Sequence, residues 1–519
     1  MSNTVTNTED CRTLNKQNQV NVGKISIGDK DRFEVDWDSD AKVTPMGSLV
    51  YFAQYLHSGG LMNRLCEGTP LEYKSNNAPG ERDVLGTLVL SILNGQTRYA
   101  HINELRGDKV GAEVLGFSKI VSEDSVRRAL KRGTPEAWDK WMSKQERTVY
   151  ETLLVEDYIL DVDNSVRQLY GHQEGAEKGY NPVKPGRPSH NYHTYFIGAL
   201  RIVLGVEVKS GKKSAGKYSM PGLWNMIDTF PIECRPKLIR GDIGYGNEKI
   251  MVEAEKRNQP YLFKLKQTAK VKKQILSLEC DAEAWEDVGD GWQGCENHLK
   301  LSGWSSSRRC IFIRRPHKKT TARKVIPETI GEEFAFAEYL HTGPDYEYGV
   351  LITNDKLPIT GIAQLYRDRA DCENVFDEIK NQWGWAGFVT HDINRCRIIA
   401  RLIALIYNWW NIFARLAKPE KHMEAITSRP LLLYAVGRIV STGRRKIIHL
   451  TSTHSKSRQI QCALTRIGTF LNNLNLTAEQ LSIEARWAII LSAAFVKWLH
   501  GKILQPVVDG NQILLKLPM

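Results

Sequence analysis

The chain opens with a polar stretch and continues with a long helical pattern. Residues 1–40 are rich in Asn, Thr and Asp and lack helical or strand periodicity, which predicts a polar arm, in part disordered. From Met46 to about Lys144, apolar residues recur every three or four positions, as in the segment VLGTLVLSIL. That spacing predicts a helical domain over residues 41–150.

Residues 107–132 have the outline of a helix-turn-helix unit. The pattern predicts a short helix from Val110 to Leu115, a turn at Gly116 and a second helix that begins after Ser122. The second helix would carry four basic residues: Arg127, Arg128, Lys131 and Arg132. Such a helix either contacts DNA or forms the solvated face of a helical bundle, and the pattern leaves both interpretations open.

Between Tyr158 and Lys266 the apolar period becomes strand-like. The runs YILDVD, YHTYFIGALRIVLGVEV, KLIRGD and PYLFKLK predict strands, and PGLWNMIDTF and NEKIMVEAEKRN predict helices. This succession predicts a mixed α/β sheet. Residues 267–346 are polar with short strand-like pieces, and we expect them to form a separate, mostly β insertion. After the strand YGVLITND, the chain is expected to be helical from Thr360 onward.

Charge is distributed unevenly along the chain. The 519 residues include 71 Lys and Arg against 59 Asp and Glu, a net charge of +12. Residues 391–519 hold 18 of these basic residues and only 6 of the acidic ones, so the excess lies in the C-terminal quarter. A basic protein of this kind favours a polyanionic partner such as nucleic acid.

Cysteine usage and hydropathy bear on where the protein acts. The nine cysteines are scattered, with no Cys-x-x-Cys pair, which is typical of reduced thiols in a cytosol. The apolar stretch from Trp487 to Val496 is much shorter than the roughly 20 residues of a membrane span. We therefore expect a cytoplasmic protein without a membrane partner.

Three acidic residues occupy positions suited to metal chemistry. Asp163 follows the apolar strand YILDV, Asp242 ends KLIRGD, and Glu373 lies on the helix after YGVLITND. Acids at the carboxyl ends of adjacent strands meet at one sheet edge, and three carboxylates there could hold two Mg²⁺ or Mn²⁺ ions for phosphoryl transfer. Strand-ending aspartates are also ordinary loop starters. Asp161 shares a face with Asp163, and the sequence does not exclude it as the first ligand.

A second pattern lies on the helix predicted from Thr360. Tyr366, Arg369, Glu373 and Lys380 fall within about 60° of arc at 3.6 residues per turn. Glu373 could bind a metal while Arg369 and Lys380 bind phosphates. The alternative is a surface helix on which Arg369 and Glu373 form an i,i+4 ion pair.

Together these segments resemble a known enzyme family. The pattern Tyr-x2-Arg-x3-Glu-x6-Lys, present as YRDRADCENVFDEIK, is the signature of the YREK group of DDE transposases of bacterial insertion sequences. The blocks LDVDNSVRQLYGHQEGAEKGYNPVKPGRPSH and LIRGDIGYGNEKI resemble the two aspartate blocks of its insertion sequence 1380 branch. The resemblance covers roughly residues 50–480.

The resemblance implies a ribonuclease-H-like catalytic domain, formed by residues 151–266 and 347–395 around the β-rich insertion 267–346. It implies that Asp163, Asp242 and Glu373 hold two magnesium ions, for which manganese can substitute. A DNA strand would first be hydrolysed at the element's end, and the freed 3′ hydroxyl would then attack DNA. Pairing of two ends implies a homodimer on double-stranded DNA, at the terminal inverted repeats and the target.

Further basic and aromatic residues are candidates for DNA contact. Lys184 and Arg187 lie in a loop shaped by Pro and Gly after the first acid, and Arg444 and Arg445 lie in a turn-like segment of the C-terminal region. Solvated loops are the alternative for both pairs. Trp304 could stack on a flipped base, as in similar transposases, or belong to the core of the insertion.

The sequence therefore predicts an α/β enzyme, a metal-dependent transposase that binds the terminal inverted repeats of its element, cleaves the ends and joins them to a target. A helical DNA-binding domain (41–150) and a helical basic region (396–519) would flank the catalytic domain. The alternatives are a nuclease that does not join DNA and a non-catalytic DNA-binding protein derived from a transposase. Intact Tyr366, Arg369 and Lys380 argue against the latter.

Overall fold

The strand-like runs of the sequence form one large mixed sheet in the computed structural model. The structure describes residues 23–27, 31–35, 38, 40–73, 75–316, 338–339, 346–385, 387–451, 455–477, 480–508 and 511–512. Helices cover the sheet, which confirms the α/β class.

The N-terminal part combines a small hairpin with a group of helices. Strands β1 (Gly23–Ile27) and β2 (Asp31–Val35) pair antiparallel, so this part of the predicted polar arm forms a hairpin that the sequence pattern did not indicate. Strand β3 (Val43–Thr44) follows. The predicted helices are present: α1 (Leu49–Ser58), α2 (Leu61–Cys66), α3 (Glu81–Leu93), α4 (Ile102–Leu105), α5 (Lys109–Leu115), α6 (Glu123–Ala129) and α7 (Pro135–Tyr150).

Local sequence explains where the later helices of this group begin. The side chains of Asp108, Ser122 and Thr134 accept hydrogen bonds from backbone N–H groups in the first turns of α5, α6 and α7. Gly116, with φ of +73°, ends α5 in the left-handed conformation that glycine adopts without strain. The predicted helix-turn-helix outline is therefore present in α5 and α6.

In the first half of the sheet, the strand that comes first in the chain lies at the centre. Its strands are β4 (Ile159–Gln168), β5 (Glu177–Lys178), β6 (Pro188–Ile197), β7 (Ile202–Ser210), β8 (Leu238–Gly241) and β9 (Tyr261–Lys264). β4 pairs antiparallel with β6, which pairs antiparallel with β7 and β5. On its other side β4 pairs parallel with β8, and β8 pairs parallel with β9. Helices α8 (Met220–Ile227) and α9 (Glu248–Lys256) connect these strands where helices were predicted.

The described residues of the segment 267–346 do not form a separate unit. The segment starts with a helix, α10 (Ala269–Glu279), and continues with β10 (Glu286–Asp287), β11 (Gln293–Leu299), β12 (Arg308–Pro316) and β13 (Glu338–Tyr339). The next strand, β14 (Tyr346–Thr353), pairs with β9 on one side and β12 on the other. Because β14 bridges the two groups, the inserted strands extend the main sheet. Residues 317–337 and 340–345 of the predicted insertion lie outside the described part.

The C-terminal part is mostly helical but not helical throughout. Its helices are α11 (Ile359–Arg367), α12 (Ala370–Gln382), α13 (Ile393–Ala417), α14 (Ala425–Leu432), α15 (Ser457–Leu476) and α16 (Ile483–Ala494). Strands β15 (Gly437–Thr442) and β16 (Arg445–Leu450) form a hairpin, and β17 (Val507–Val508) pairs with β18 (Asn511–Gln512). The all-helical prediction is wrong here because the two-residue turn at Gly443 and Arg444 allows the flanking segments to pair.

Helix α13 is the centre of the core. Its side chains are buried on almost every face, including Trp409, Trp410 and Phe413. Asn408 satisfies the backbone of Val203 on β7, donating to its carbonyl at 2.7 Å and accepting from its N–H at 2.9 Å. This apolar segment is therefore a core helix. Among the described residues, the helices are too short or too polar to traverse a lipid bilayer.

A buried ion pair joins α13 to the N-terminal helices. Arg401 donates to both carboxylate oxygens of Glu146 on α7, at 2.8 and 2.6 Å, and to Asp139 at 2.5 Å. Arg401 and Glu146 are almost inaccessible to solvent. The pair therefore fixes the helical N-terminal region against the helix that supports the sheet.

We expect Arg401→Met to lower the free energy of unfolding by about 3–5 kcal/mol, because Glu146 would stay buried without its partner. Arg127→Met is the matched control, since Arg127 pairs with Glu123 and Asp124 at the surface and its loss should cost less than about 1 kcal/mol. Denaturant unfolding of both variants measures the difference. Equal losses of unfolding free energy in the two variants would show that the Arg401 ion pair does not stabilise the contact between α13 and the N-terminal helices.

Candidate active site

Asp163 and Asp242 lie side by side at the centre of the sheet. In the parallel pairing of β4 with β8, Val162 is opposite Gly241, and the next residue on each strand is the acid. Burial and the charge of Asp163 raise the pKa of Asp242 to about 6. The structure thus brings together the first two acids that the sequence singled out.

The strand that carries Asp163 does not end where the sequence suggested. β4 continues to Gln168, because β6 goes on pairing with it from Asn164 to Gln168. Only the parallel partner β8 stops, at Gly241. Asp163 is therefore in the middle of its strand but at the carboxyl end of the parallel pair, which is where Asp242 projects.

Asp161 has a different environment from Asp163. Its two carboxylate oxygens accept hydrogen bonds from Arg240 Nε at 2.6 Å and Nη2 at 2.9 Å, and both side chains are buried. Arg240 also donates to the backbone carbonyl of Leu365 on α11. This engagement favours Asp163 over Asp161 as the first metal ligand.

The segment with the other candidate residues consists of two helices, α11 and α12, instead of one. The N–H of Arg369 bonds to the carbonyl of Tyr366, three residues back, and the regular helix resumes at Ala370. The prediction of one continuous helix is therefore wrong, and the four residues lie on two helices joined by a tight turn. Glu373 and Lys380 still share a face of α12, about 10 Å apart along its axis.

The break places Arg369 against the first acid. Arg369 Nη2 donates to Asp163 Oδ2 at 2.8 Å, and both side chains are largely buried. Sequence spacing suggested that Arg369 could pair with Glu373 on its own helix. The structure shows an ion pair of Arg369 with Asp163, which lies 206 residues away in the chain.

Tyr366 lies among the charged residues. Burial strongly raises the pKa of its phenol; Arg369 opposes this shift, and the charges of Asp242, Asp163 and Glu373 add to it. All three acids are thus within electrostatic range of one side chain. The structure brings five of the predicted residues to one place: Tyr366, Arg369, Asp163, Asp242 and Glu373.

The donor set fits divalent cations in its chemistry. Carboxylate oxygens are the ligands that Mg²⁺ and Mn²⁺ prefer, and a cation beside Asp163 and Asp242 would relieve the repulsion that raises the pKa of Asp242. Among the described residues, no group of three His, Cys, Asp or Glu side chains is close enough to hold one ion. Metal binding by Asp163, Asp242 and Glu373 therefore stays a prediction.

One residue that holds the Glu373 helix in place had no signal in the sequence. Glu378 on α12 is buried and accepts hydrogen bonds from the N–H of Ala425 at 2.9 Å and from Trp383 Nε1 at 3.3 Å. It also contacts His422 at 2.7 Å. These contacts fix α12 to the C-terminal helices and thereby fix Glu373.

Lys184 and Arg187 form a cluster with an aromatic residue that sequence reasoning missed. Lys184 Nζ donates to the hydroxyl of Tyr170 at 3.0 Å, and the Arg187 guanidinium lies 4.7 Å from the ring centroid. The hydrogen bond from Lys184 lowers the pKa of Tyr170, which is 67% exposed. This tyrosine cluster lies beyond the end of β4, about 20 Å along the strand direction from Asp163.

Arg444 and Arg445 lie at the tip of an exposed hairpin. Gly443, with φ of +57°, and Arg444 form the turn of the basic hairpin, Gly437–Leu450. The hairpin pairs with β3, and Lys446 forms an ion pair with Glu113 of α5 at 2.7 Å. The predicted turn between helices is thus a strand pair attached beside the helix-turn-helix unit.

Trp304 lies in the loop between β11 and β12 and is partly exposed. The guanidinium of Arg308 is 5.4 Å from its ring centroid. Arg308 in turn binds Glu248 and Glu255 of α9, the helix that follows Asp242 in the chain. The loop is therefore connected to the Asp242 side of the sheet.

The fold is a mixed sheet covered by helices, with Asp163 and Asp242 side by side at the carboxyl end of a parallel strand pair. The chain matches the family model described as Transposase DDE domain group 1 over residues 41–471. Since that match spans most of the sequence, the chain belongs to this family and is a DDE-type transposase, an enzyme of DNA transposition.

Solved structures and curated proteins add little to this assignment. The chain is similar to the piggyBac transposase of a cryo-EM synaptic complex with hairpin DNA, at 9% identity and a TM-score of 0.36. That match covers 86% of this chain and 85% of the other. No curated protein matches the chain.

The two neighbouring aspartates of β4 should respond differently to neutralisation. Asp161→Asn should lower the free energy of unfolding by about 3–5 kcal/mol, because buried Arg240 would lose its counter-charge. Asp163→Asn should cost less, because Asp242 remains beside Arg369. Denaturant unfolding of both variants measures the difference. A larger loss of unfolding free energy in Asp163→Asn than in Asp161→Asn would show that Asp163, and not Asp161, has the structural role.

Proposed function

We propose that this transposase cleaves the ends of its own element and joins the 3′ ends to target DNA, with Asp163, Asp242 and Glu373 as ligands of two magnesium ions. The observation that carries the proposal is the parallel pairing of β4 with β8, which sets Asp163 beside Asp242 beneath the helices of Tyr366 and Glu373. Manganese, with the same preference for oxygen ligands, could replace magnesium.

When bound, the metal ions would supply activation of the attacking oxygen and stabilisation of the leaving oxygen in phosphoryl transfer. The protein's own residues position the DNA. Arg369 is bound to Asp163 and carries a fork of donors that also suits a phosphate, so it can exchange the carboxylate for the DNA backbone. Lys380, further along α12, adds a point charge for a neighbouring phosphate.

The catalytic domain is proposed to be ribonuclease-H-like. Three strands that are antiparallel neighbours in the sheet (β4, β6 and β7) and two parallel strands (β8 and β9), with β4 at the centre, support this assignment. The acids then lie at the carboxyl ends of adjacent parallel strands, where open α/β sheets bind their ligands.

A finer classification follows from the motif. Tyr366, Arg369, Glu373 and Lys380 keep the spacing of the YREK group, and the aspartate blocks resemble those of the insertion sequence 1380 branch. We therefore propose that the chain belongs to this branch within the broader transposase family. The break between α11 and α12 does not alter the spacing, and it places Arg369 toward the acids.

DNA contact is proposed for three surfaces outside the acids. They are the tyrosine cluster with Lys184 and Arg187, the basic hairpin with Arg444 and Arg445, and the helical domain over residues 41–150. The hairpin is supported by its exposed tip and by its attachment to α5, because a strand pair beside a helix-turn-helix unit can follow DNA next to the helix. Trp304 is proposed to stack on a base near the cleavage point.

Two copies of the chain are proposed to act together, since two element ends must be paired before joining. Each copy would bind one terminal inverted repeat of double-stranded DNA. A homodimer with two ends, observed as the main species in gel filtration with end DNA, would support this arrangement.

Removal of any one acid should stop the chemistry and spare binding. We expect Asp163→Ala, Asp242→Ala and Glu373→Ala each to reduce cleavage more than about 100-fold, because the cations stabilise the transition state by several kcal/mol. The measurement is cleavage and strand transfer with purified protein, Mg²⁺, labelled element-end DNA and a plasmid target. DNA affinity, measured by fluorescence anisotropy, should change little.

The same assay separates the alternatives. Cuts without joined products would favour a nuclease, and binding without chemistry in Mg²⁺ or Mn²⁺ would favour a DNA-binding derivative. Removal of the metal with EDTA should abolish cleavage, and cleavage that survives EDTA would contradict the proposal.

The basic hairpin should contribute to affinity through phosphates. We expect Arg444→Ala with Arg445→Ala to weaken end-DNA binding and to reduce the slope of log K against log[salt] by about 2, one for each lost phosphate contact. Lys237→Ala is the control, because Lys237 is equally exposed but lies before β8, at the opposite end of the strands from the acids. An unchanged slope in the double variant would remove the hairpin from the DNA interface.

A further inference from the structure

The loop between β7 and α8 contains a group of basic residues that the motifs of the family do not include. This lysine loop, residues 211–219, has the sequence GKKSAGKYS. Its three lysines, Lys212, Lys213 and Lys217, are exposed. The loop lies near the acids, because its backbone contacts the residue directly after Asp163 and the turn directly after Asp242.

One set of contacts ties the loop to the strand of Asp163. Asn164 Nδ2 donates to the carbonyl of Ser214 at 3.2 Å, and Asn164 is the residue directly after Asp163. His193 on β6, which is opposite Asn164 in the sheet, donates from Nε2 to the carbonyl of Lys213 at 2.7 Å. Lys213 is thus next in the chain to Ser214, which contacts the strand of Asp163 directly.

A second set of contacts ties the loop to the segment after Asp242. Gly216 packs so closely on this segment that an added Cβ would lie 2.8 Å from the carbonyl oxygen of Gly244 and 2.9 Å from the ring of Tyr245. The N–H of Gly244 donates to Asp242 Oδ1 at 2.9 Å. The residue before Lys217 therefore contacts the turn that holds the second acid.

The lysines differ in their partners. Lys212 forms an ion pair with Glu177 at 3.0 Å. Within the described part of the chain, Lys213 and Lys217 make no ion pair with a carboxylate, and Lys217 lies 4.9 Å from the ring centroid of Tyr218. Both line a groove of about 440 Å³ that continues past Lys209 and Arg397 to the start of α13.

Arrangement and charge together indicate the ligand. A DNA phosphate that approaches Asp163 and Asp242 meets carboxylates of its own sign, so cations beside them are needed to hold the neighbouring phosphates. Lysines act as point charges without a demand for a particular base, which suits a backbone contact. The groove is lined by these two lysines together with Lys209 and Arg397, so a DNA strand in it would meet four basic side chains.

We propose that Lys213 and Lys217 bind two backbone phosphates of the DNA strand next to the cleaved phosphate, and that the groove beside them guides this strand away from the acids. The inference rests on the proposed function, since it takes the Asp163 and Asp242 edge as the place of cleavage. Lys213 and Lys217 are positioning residues, because they bind the substrate away from the reacting atoms.

The test uses the full chain and compares four variants. Lys213→Ala with Lys217→Ala should weaken binding of element-end DNA about tenfold and reduce the salt slope by about 2. Lys212→Ala is the control within the same loop, because its lysine is already paired with Glu177, and Lys237→Ala is the control at the far end of the sheet. Both controls should keep the slope of the unmodified protein. Lys213→Arg with Lys217→Arg should keep the slope of the unmodified protein, because both positive charges remain. If the lysines had a structural role instead, the slope would not depend on their charge.

Neutral phosphates locate the contact. Methylphosphonate substitution at single positions beside the cleaved phosphate should weaken binding by the unmodified protein at two positions and should have no further effect on the double alanine variant. Equal losses in Lys212→Ala, an unchanged slope, or methylphosphonate effects that persist in the double variant would each overturn the proposal.

The outcome also separates this inference from the proposed function. If Asp163→Ala abolishes cleavage and the double lysine variant binds and cleaves as the unmodified protein does, only the lysine assignment fails. If Asp163→Ala still cleaves, the proposed active site fails whatever the lysine variants do.

Discussion

The position of the candidate site depends on the parallel pairing of β4 with β8. A slip of one residue in either strand would turn Asp163 or Asp242 to the other face of the sheet. The buried pair of Asp161 and Arg240, opposite each other in the same ladder, stabilises the observed register because a slip would separate the two charges. Asp161, which stabilises the register, and Asp163, the proposed metal ligand, therefore lie two residues apart on the same strand.

The second requirement is that distant segments cover this edge. Helix α13 supports β7 through Asn408 and is joined to α7 through Arg401. Helix α12 is fixed to the C-terminal helices through Glu378, so that Glu373 stays above the sheet. Arg369 then offsets the charge of Asp163. Because Arg369 offsets part of their negative charge, the two neighbouring acids can coexist, and its guanidinium also suits a phosphate of the DNA backbone.

Much of this arrangement could be predicted from the sequence because it depends on short-range patterns. Strand runs ending in acids indicated Asp163 and Asp242, and the spacing of Tyr366, Arg369 and Glu373 indicated the helical part of the site. The ion pair of Arg369 with Asp163 could not be predicted, because it joins residues far apart in the chain and depends on the break before Ala370. Tyr170 and the lysine loop were missed for the same reason, since their surroundings arise from tertiary contacts. The hairpin at Gly443 is a local feature that was also missed, because its two strands are short and lie between long apolar helical segments.

The central claim is that Asp163 and Asp242 form one metal-dependent site while Asp161 has a structural role. Electron paramagnetic resonance of Mn²⁺ with the protein bound to element-end DNA measures this without relying on turnover. We predict tightly bound Mn²⁺ in the unmodified protein and in any folded Asp161→Asn protein, and its loss in Asp163→Ala and Asp242→Ala. Binding of Mn²⁺ by Asp242→Ala at the level of the unmodified protein would contradict a shared metal site of Asp163 and Asp242.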